Sequence, residues 1–381
     1  MAAGHGQTTG VGAEKENFTV GVEEEFFLVD PDSRRLVPRV ERVLPRARED
    51  VGPGQQVDHE LQQSQLETGT GVCRTLGELR GELVRLRRSA AAAAERVGCR
   101  LVAAGTHPLP FAHEGQVTPE GPYLRLERQY QAVMREQMVC GCHVHVGLVD
   151  AGEAIEVLNR SRPWLPVVAA LAVNSPFWLG DDTSYASFRT EIWRRWPMSG
   201  LPETFASRPE YDALVADLVA TGAIDDPARI YWDVRPSARF DTLEFRMADA
   251  CLTVDETVLV AGLVQALVRT LHAQVLRGDR PAAVRPELLR AASWRAARFG
   301  TEGELIDLGG RRSVPAAQAV DAMVAFVRAG LEEVGSWDEV HDLVQRTLRR
   351  GTGAMRQRRA FERSGRLVDV VDLVVAETVP G

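Results

Sequence analysis

The chain has 381 residues, 45% of them hydrophobic and 26% charged, with a formal net charge of −8. That balance excludes a disordered or fibrous protein, and the acidic sum argues against nucleic-acid binding by bulk phosphate neutralisation. Among 45 lysines and arginines only Lys15 is a lysine, which removes P-loop, protein-kinase and pyridoxal-phosphate chemistry, since each needs a lysine within the fold.

Residues 1–17 are polar and lack an apolar stretch, so they read as a flexible leader and not as a secretory signal. Residues 18–381 are expected to form one domain. Period-2 alternation predicts strands over Phe18–Val29, Gln56–Glu67, Arg100–Ala104, Met138–Leu148 and Thr242–Ala248. Helices are predicted over Leu76–Arg96 and Glu256–Leu276, with apolar residues at helical spacing in each. The stretch Asn174–Ser207, dense in Trp, Pro, Gly and Arg, reads as a structured loop set. From about Pro286 the chain is expected to be helical to Glu377, with loops at Gly309-Gly310 and Gly351–Gly353. Strands scattered among helices without a βα repeat predict an α+β fold on an antiparallel or mixed sheet. The apolar runs near Trp164–Val173 and Val258–Leu271 are interrupted and too short for a membrane span. Five scattered cysteines predict a reducing, cytoplasmic setting without a disulfide framework.

Four of the strands carry polar residues where apolar ones would serve a fold better. In Gly21–Leu28, alternation places Glu23, Glu25 and Phe27 on one face, and Val22, Glu24, Phe26 and Leu28 on the other. Carboxylates at i and i+2 suit a hard divalent cation, while a solvated edge strand is the competing reading. Within Cys140–Gly147 the cysteines share a face with Val144 and Val146, whereas His143 and His145 share the opposite face with Gly141 and Gly147. One zinc ion therefore cannot collect all four side chains, and the glycines suggest a ligand close to the backbone. In Thr242–Ala248, Glu244 and Arg246 lie opposite an apolar face, as an ion pair or as a metal ligand beside a phosphate clamp. The second strand is polar throughout, and Glu60 and Glu67 share a face only if a bulge intervenes. The arginines of Asp181–Pro197 could bind a substrate carboxylate or nucleotide phosphates, with Trp193, Trp196 and, less clearly, Trp232 as an apolar wall, while a surface ion-pair network over packed tryptophans is the competing reading.

Taken in order, Gly21–Asp30, Gln63–Thr68, Cys140–Gly147, Asn174–Trp178, Ser187–Pro197 and Thr242–Asp249 resemble the carboxylate–amine ligase family, also called type-2 glutamate–cysteine ligases. The resemblance runs from about Phe18 to about Arg359. It implies a curved, largely antiparallel sheet forming a funnel-like active site covered by helices, as in glutamine synthetase-like enzymes. It implies ATP and Mg²⁺ as cofactors, an acyl-phosphate intermediate, and small-molecule carboxylate and amine substrates, with no nucleic-acid or membrane partner and a homodimer as the candidate assembly. By motif, Glu23, Glu25, Glu67 and Glu244 would be metal ligands, and Arg246 would clamp phosphate. His143 and His145 would line the nucleotide or acyl-phosphate pocket, and Arg189 and Trp232 would meet substrate. Glu23, Glu67, His143 and Arg246 are the expected catalytic set. Cys142 and Ser184 depart from the pattern, which calls for a small residue and a glycine there. Competing expectations are an amide ligase of specialised metabolism with another acid and amine, a zinc hydrolase built on His143 and His145, and a ligase descendant that only binds.

Overall fold

Strand β1 (Val20–Val29) is the spine of a seven-stranded sheet in the computed structural model, which describes residues 18–111 and 117–380. The leader expected over residues 1–17 lies outside the described residues. The other strands are β2 (Gln56–His59), β3 (Gln65–Gly69), β4 (Arg100–Val102), β5 (Gly141–Gly147), β6 (Val234–Pro236) and β7 (Thr242–Asp249). Every pairing is antiparallel, in the order β6-β7-β5-β1-β3-β2, and β4 follows β5 along the same edge of β1. The sheet is open, and its fold class is the α+β one expected.

The predicted second strand is in fact a hairpin. Gln62–Ser64 turn the chain so that β2 pairs with β3, setting Asp58 opposite Glu67. The parity argument for Glu60 and Glu67 fails for that reason, since the two residues never share one strand. The helical C-terminal part is present, but β8 (Glu304–Asp307) and β9 (Arg312–Pro315) form a hairpin inside it, and Gly309-Gly310 lie in its turn.

Helices cover the back of the sheet. The first, α1 (Leu76–Glu95), is started by Thr75, whose side chain accepts the Glu78 N–H. Next come α2 (Ala151–Ser161), α3 (Leu165–Leu171) and the short α4 (Phe188–Trp193), the last capped by Ser187. Helix α5 (Val254–Leu276) begins with a full capping box of Thr253 and Glu256. Length and composition alone would let α5 cross a membrane, yet 72% of its apolar window is buried, as befits the central helix of a core. Helices α6 (Pro286–Phe299) and α7 (Ala316–Glu333) complete that layer. Val22, Cys142, Val144, Val146, Leu243 and Phe245, from the back of β1, β5 and β7, pack into one cluster with Val258 and Leu263 of α5. The cysteines thus serve as core residues, and all five are free and buried.

One charge also points into this layer. Glu24, 1% exposed, faces away from Glu23 and Glu25 and meets Arg87 of α1, which is wholly buried. Arg87 Nε and Nη2 donate to the two carboxylate oxygens at 3.0 and 2.6 Å. Its remaining protons go to the carbonyls of Cys251, Leu252 and Thr378, and Thr257 donates to the same carboxylate. A buried pair so fully bonded stabilises only while both partners are present. Arg87→Met is expected to cost about 3–5 kcal/mol in urea unfolding. The double variant Glu24→Gln/Arg87→Met should recover a measurable part of that loss, and no recovery would show that packing, not the orphaned charge, sets the cost.

Candidate active site

Register brings the polar residues together. Across β1 and β5, Glu23 lies opposite His143; across β1 and β3, Glu25 lies opposite Glu67; across β7 and β5, Glu244 lies opposite His145. Arg235 of β6 faces Glu244 from the other side. Paired residues project to the same face, so one side of the sheet carries acids and histidines while the other carries the core. A cleft of about 260 Å³ opens over this face. Its carboxylates are Glu23, Glu25, Asp58, Glu60, Glu67 and Glu244, and its cations Arg229, Arg235, Arg239 and Arg246.

These acids fall into two groups. Burial would push Glu23 up, but the imidazoles of His143 and His145 beside it outweigh that and hold its pKa well below the usual range. His143 Nδ1 is 3.2 Å and His145 Nε2 3.4 Å from the Glu23 carboxylate. Glu244 is held down in the same way, against burial, by Arg246 and Arg235. Arg235 grips it with Nε at 2.8 Å and Nη2 at 3.1 Å, and Arg246 Nη1 donates to the same Oε1 that Arg235 Nη2 meets. Glu60 and Glu67 behave oppositely. Burial first, then the neighbouring Glu25 and Glu23, push Glu60 up to about 8. Burial together with Glu23, Glu60 and Glu25 raises Glu67 well above its ordinary value. Burial and the adjacent Arg246 lower His143, so its imidazole is a neutral donor atom at physiological pH.

Two sets of ligand atoms lie within 4.8 Å of one another: Glu23, Glu67 and His143, and Glu23, His145 and Glu244. Glu23 belongs to both. The Nε2 atoms of His143 and His145 are buried without a hydrogen-bond partner, as is Arg246 Nε. Carboxylates that repel one another beside unpartnered imidazole nitrogens are a donor set that fits a divalent cation. Among the described residues no such set contains both histidines, so the arrangement does not favour a single zinc held by His143 and His145. Glu25 lines the cleft but belongs to neither set; its Oε2 accepts the Gly141 N–H at 2.6 Å, and His143 Nε2 is 3.5 Å away.

The substrate wall differs from the expectation. Trp193 and Trp196 do line the cleft, with Tyr231 against both rings. Trp232 does not. It points into the core against Phe205 and Tyr211, because its neighbour Tyr231 takes the outward position of the alternating backbone. Arg189 also lies outside the cleft, 2% exposed, beneath Gly141 and 4.0 Å from Asp249. A Cβ at Gly141 would sit 2.4 Å from Arg189 Nη2, so this glycine makes room for a buried guanidinium and not for a ligand. Arg189 and Arg246 both pack on the Trp193 ring, at 5.6 and 5.8 Å from its centroid. Ser184, where the resemblance calls for a glycine, adopts φ 61°. Its backbone thus keeps the left-handed conformation that glycine would take most easily. Asp58 and Arg235 also line the cleft without having been singled out by the strand reading, and so does Glu60, which that reading noted only for its parity with Glu67.

A sequence profile of glutamate–cysteine ligase family 2 matches residues 19–373. The chain belongs to that family. A relative from Frankia alni, provisionally named glutamate–cysteine ligase 2-2, is 47% identical over 372 residues, covering 94% of this chain and 97% of the relative. Another from Rhodopirellula baltica, provisionally named glutamate–cysteine ligase 2, is 40% identical, covering 95% of this chain and 97% of the relative. Some relatives are longer: the chain spans 42% of a second Frankia alni protein, provisionally named glutamate–cysteine ligase 2-3, at 43% identity and 96% of its own length. Among solved structures, a glutamate–cysteine ligase from Francisella tularensis in complex with AMP superposes with a TM-score of 0.70 at 13% identity, over 96% of this chain and 89% of that one. A bifunctional glutathione synthetase from Pasteurella multocida gives 0.69 at 17% identity, over 94% of this chain and 52% of that one. At such identities the likeness is one of fold. Members of this family are carboxylate–amine ligases, and the protein is an enzyme of that class.

The raised acid in the cleft has a consequence for stability. Glu60 binds its proton more tightly in the folded than in the unfolded chain, so its contribution is full below its ordinary value of 4.5 and is lost as pH rises towards 8. Without divalent cation, urea midpoints should therefore fall between these limits. Glu60→Gln, which cannot ionise, should give a flatter profile over the same window, and an unchanged slope would refute the assignment.

Proposed function

We propose that the enzyme joins a small-molecule carboxylate to an amine with conversion of ATP to ADP and phosphate, residues 18–381 acting as one catalytic domain. Glutamate and cysteine are the first pair to test. One observation carries the reading: Glu23 is shared by two convergent sets of ligand atoms, with the Arg246 guanidinium against the second set on the same sheet face. In the reaction, a carboxylate oxygen of the acid bonds to the γ-phosphorus while the bond to ADP breaks. The amine nitrogen then bonds to the acyl carbon, the carbon–oxygen bond to phosphate breaks, and the amine proton leaves to solvent.

Divalent cations held by Glu23 with Glu67 and His143, and by Glu23 with His145 and Glu244, would neutralise the phosphate and carboxylate oxygens that otherwise repel each other. The protein's own groups supply position and charge. Arg246 is fixed by Glu244 and keeps its buried Nε free of any partner, which leaves part of its fork for a phosphate oxygen. Arg235 holds Glu244 in place from the far strand. Trp193, Trp196 and Tyr231 form an apolar wall that excludes water from the reacting atoms. No step asks for a lysine, in keeping with a described fold that has none.

ADP release should require both an acid and an amine, with the product mass equal to their sum less water. Turnover without nucleotide would overturn the ligase reading. Arg246→Lys should lower kcat by about 10²–10³-fold, because a point charge cannot replace the planar fork. A second measurement separates the carboxylates by Mn²⁺ titration. Glu23→Gln, common to both ligand sets, should weaken binding by about 10–100-fold. Glu25→Gln, already occupied by Gly141, should weaken it far less, and equal losses would refute the assignment of ligands.

A further inference from the structure

A second cavity, of about 480 Å³, lies between α2, α3, α5, α7 and the β8–β9 hairpin. It shares no lining residue with the carboxylate cleft. Its apolar wall is formed by Trp164, Val167, Leu271, Leu308, Val314 and Phe326. Trp164 and Phe326 stack with centroids 4.2 Å apart and planes inclined by 18°, so each ring holds the other in place in the wall. A space of this size beside large apolar side chains is of the order of a small-molecule site.

Its charge is the reverse of the molecule's. The whole chain carries −8, but Arg160, Arg280, Arg311 and Arg312 line this cavity against a single acid, Asp307. Asp307 is already engaged by Arg312 at 3.2 Å and by the Gly310 N–H. Arg160 is the telling residue. Its side chain is 7% exposed, and its one carboxylate neighbour, Glu156, stands 3.5 Å from Nη2. Its Nε and Nη1 are buried with no hydrogen-bond partner. A guanidinium taken out of water and left half-bonded is costly unless an anion completes it. Arg280 and Arg311 are exposed at the rim and form no ion pair among the described residues.

We infer that this cavity is a binding site for an amphipathic organic anion, whose apolar chain or ring lies on Trp164 and Phe326 and whose carboxylate or phosphate head meets the arginines. The inference stands independently of the reaction proposed for the cleft. The test uses the full chain and 1-anilinonaphthalene-8-sulfonate, an aromatic anion that fluoresces in apolar surroundings. One saturable site is expected, with decanoate and decyl phosphate displacing the dye and decylamine failing to do so. Arg280→Ser/Arg311→Ser should weaken dye binding about tenfold at an unchanged urea midpoint, because both side chains are exposed. Ala322→Trp, an exposed lining position whose new ring fills the space, should abolish it. Absence of saturable binding, equal displacement by decylamine, or binding indifferent to Ala322→Trp would each overturn the inference.

Discussion

Three consecutive glutamates on one central strand oblige the fold to supply cations on both faces of its sheet. Alternation leaves no other arrangement: Glu24 must enter the layer between sheet and helices, while Glu23 and Glu25 must face the cleft. The inner demand is met permanently. Arg87 reaches Glu24 from α1 and, with its spare protons, ties the end of β7, the start of α5 and Thr378 near the C-terminus to the same point. That single guanidinium therefore closes the register of elements far apart in sequence. The outer demand is met only in part by the protein itself.

The partial answer on the outer face gives the cleft its chemistry. Glu23 and Glu244 have fixed partners, two imidazoles for the one and two guanidiniums for the other, and stay ionised despite burial. Glu60 and Glu67 have none of comparable strength and hold their protons instead. Such a site is half-charged and waiting for cationic charge, since any cation that enters can release those protons and gain ligands together. Electrostatic preparation of this kind suits a reaction between anions, in which the protein needs to place opposite charge and need not form a covalent bond.

Much of this was legible in the sequence, because strand parity is a strict rule. The separation of Glu23 and Glu25 from Glu24, of the histidines from the cysteines, and of Glu244 from Phe245 followed from counting by two. What parity cannot show is where a strand ends. Gln62-Gln63-Ser64 offers no glycine, proline or asparagine to announce a turn, so two strands read as one and Glu60 was left without a place. Nor can local pattern say which neighbour fills a gap. Gly141 looked like room for a ligand, but the room belongs to Arg189, which arrives from α4. Trp232 and Tyr231 are adjacent aromatics, and only the pairing of Tyr231-Trp232 with Ser199-Gly200 decides which of them turns inward.

The two faces of β1 also differ in what selection can ask of them. Removing Glu24 or Arg87 leaves a buried ion without its partner, so the inner pair is held by stability alone. On the outer face the balance reverses: Glu60 and Glu67 must take up protons to be buried beside Glu23 and Glu25, and replacements that cannot ionise would remove that cost. A cost to stability of this kind marks the two residues as candidates for function. The strain is affordable because the inner pair, the capping box of α5 and the close-packed back of the sheet lie on the other side of the same strands. A fold that stores its rigidity on one face of a sheet can keep like charges together on the other, and that division is what makes an acidic sheet face usable as an active site.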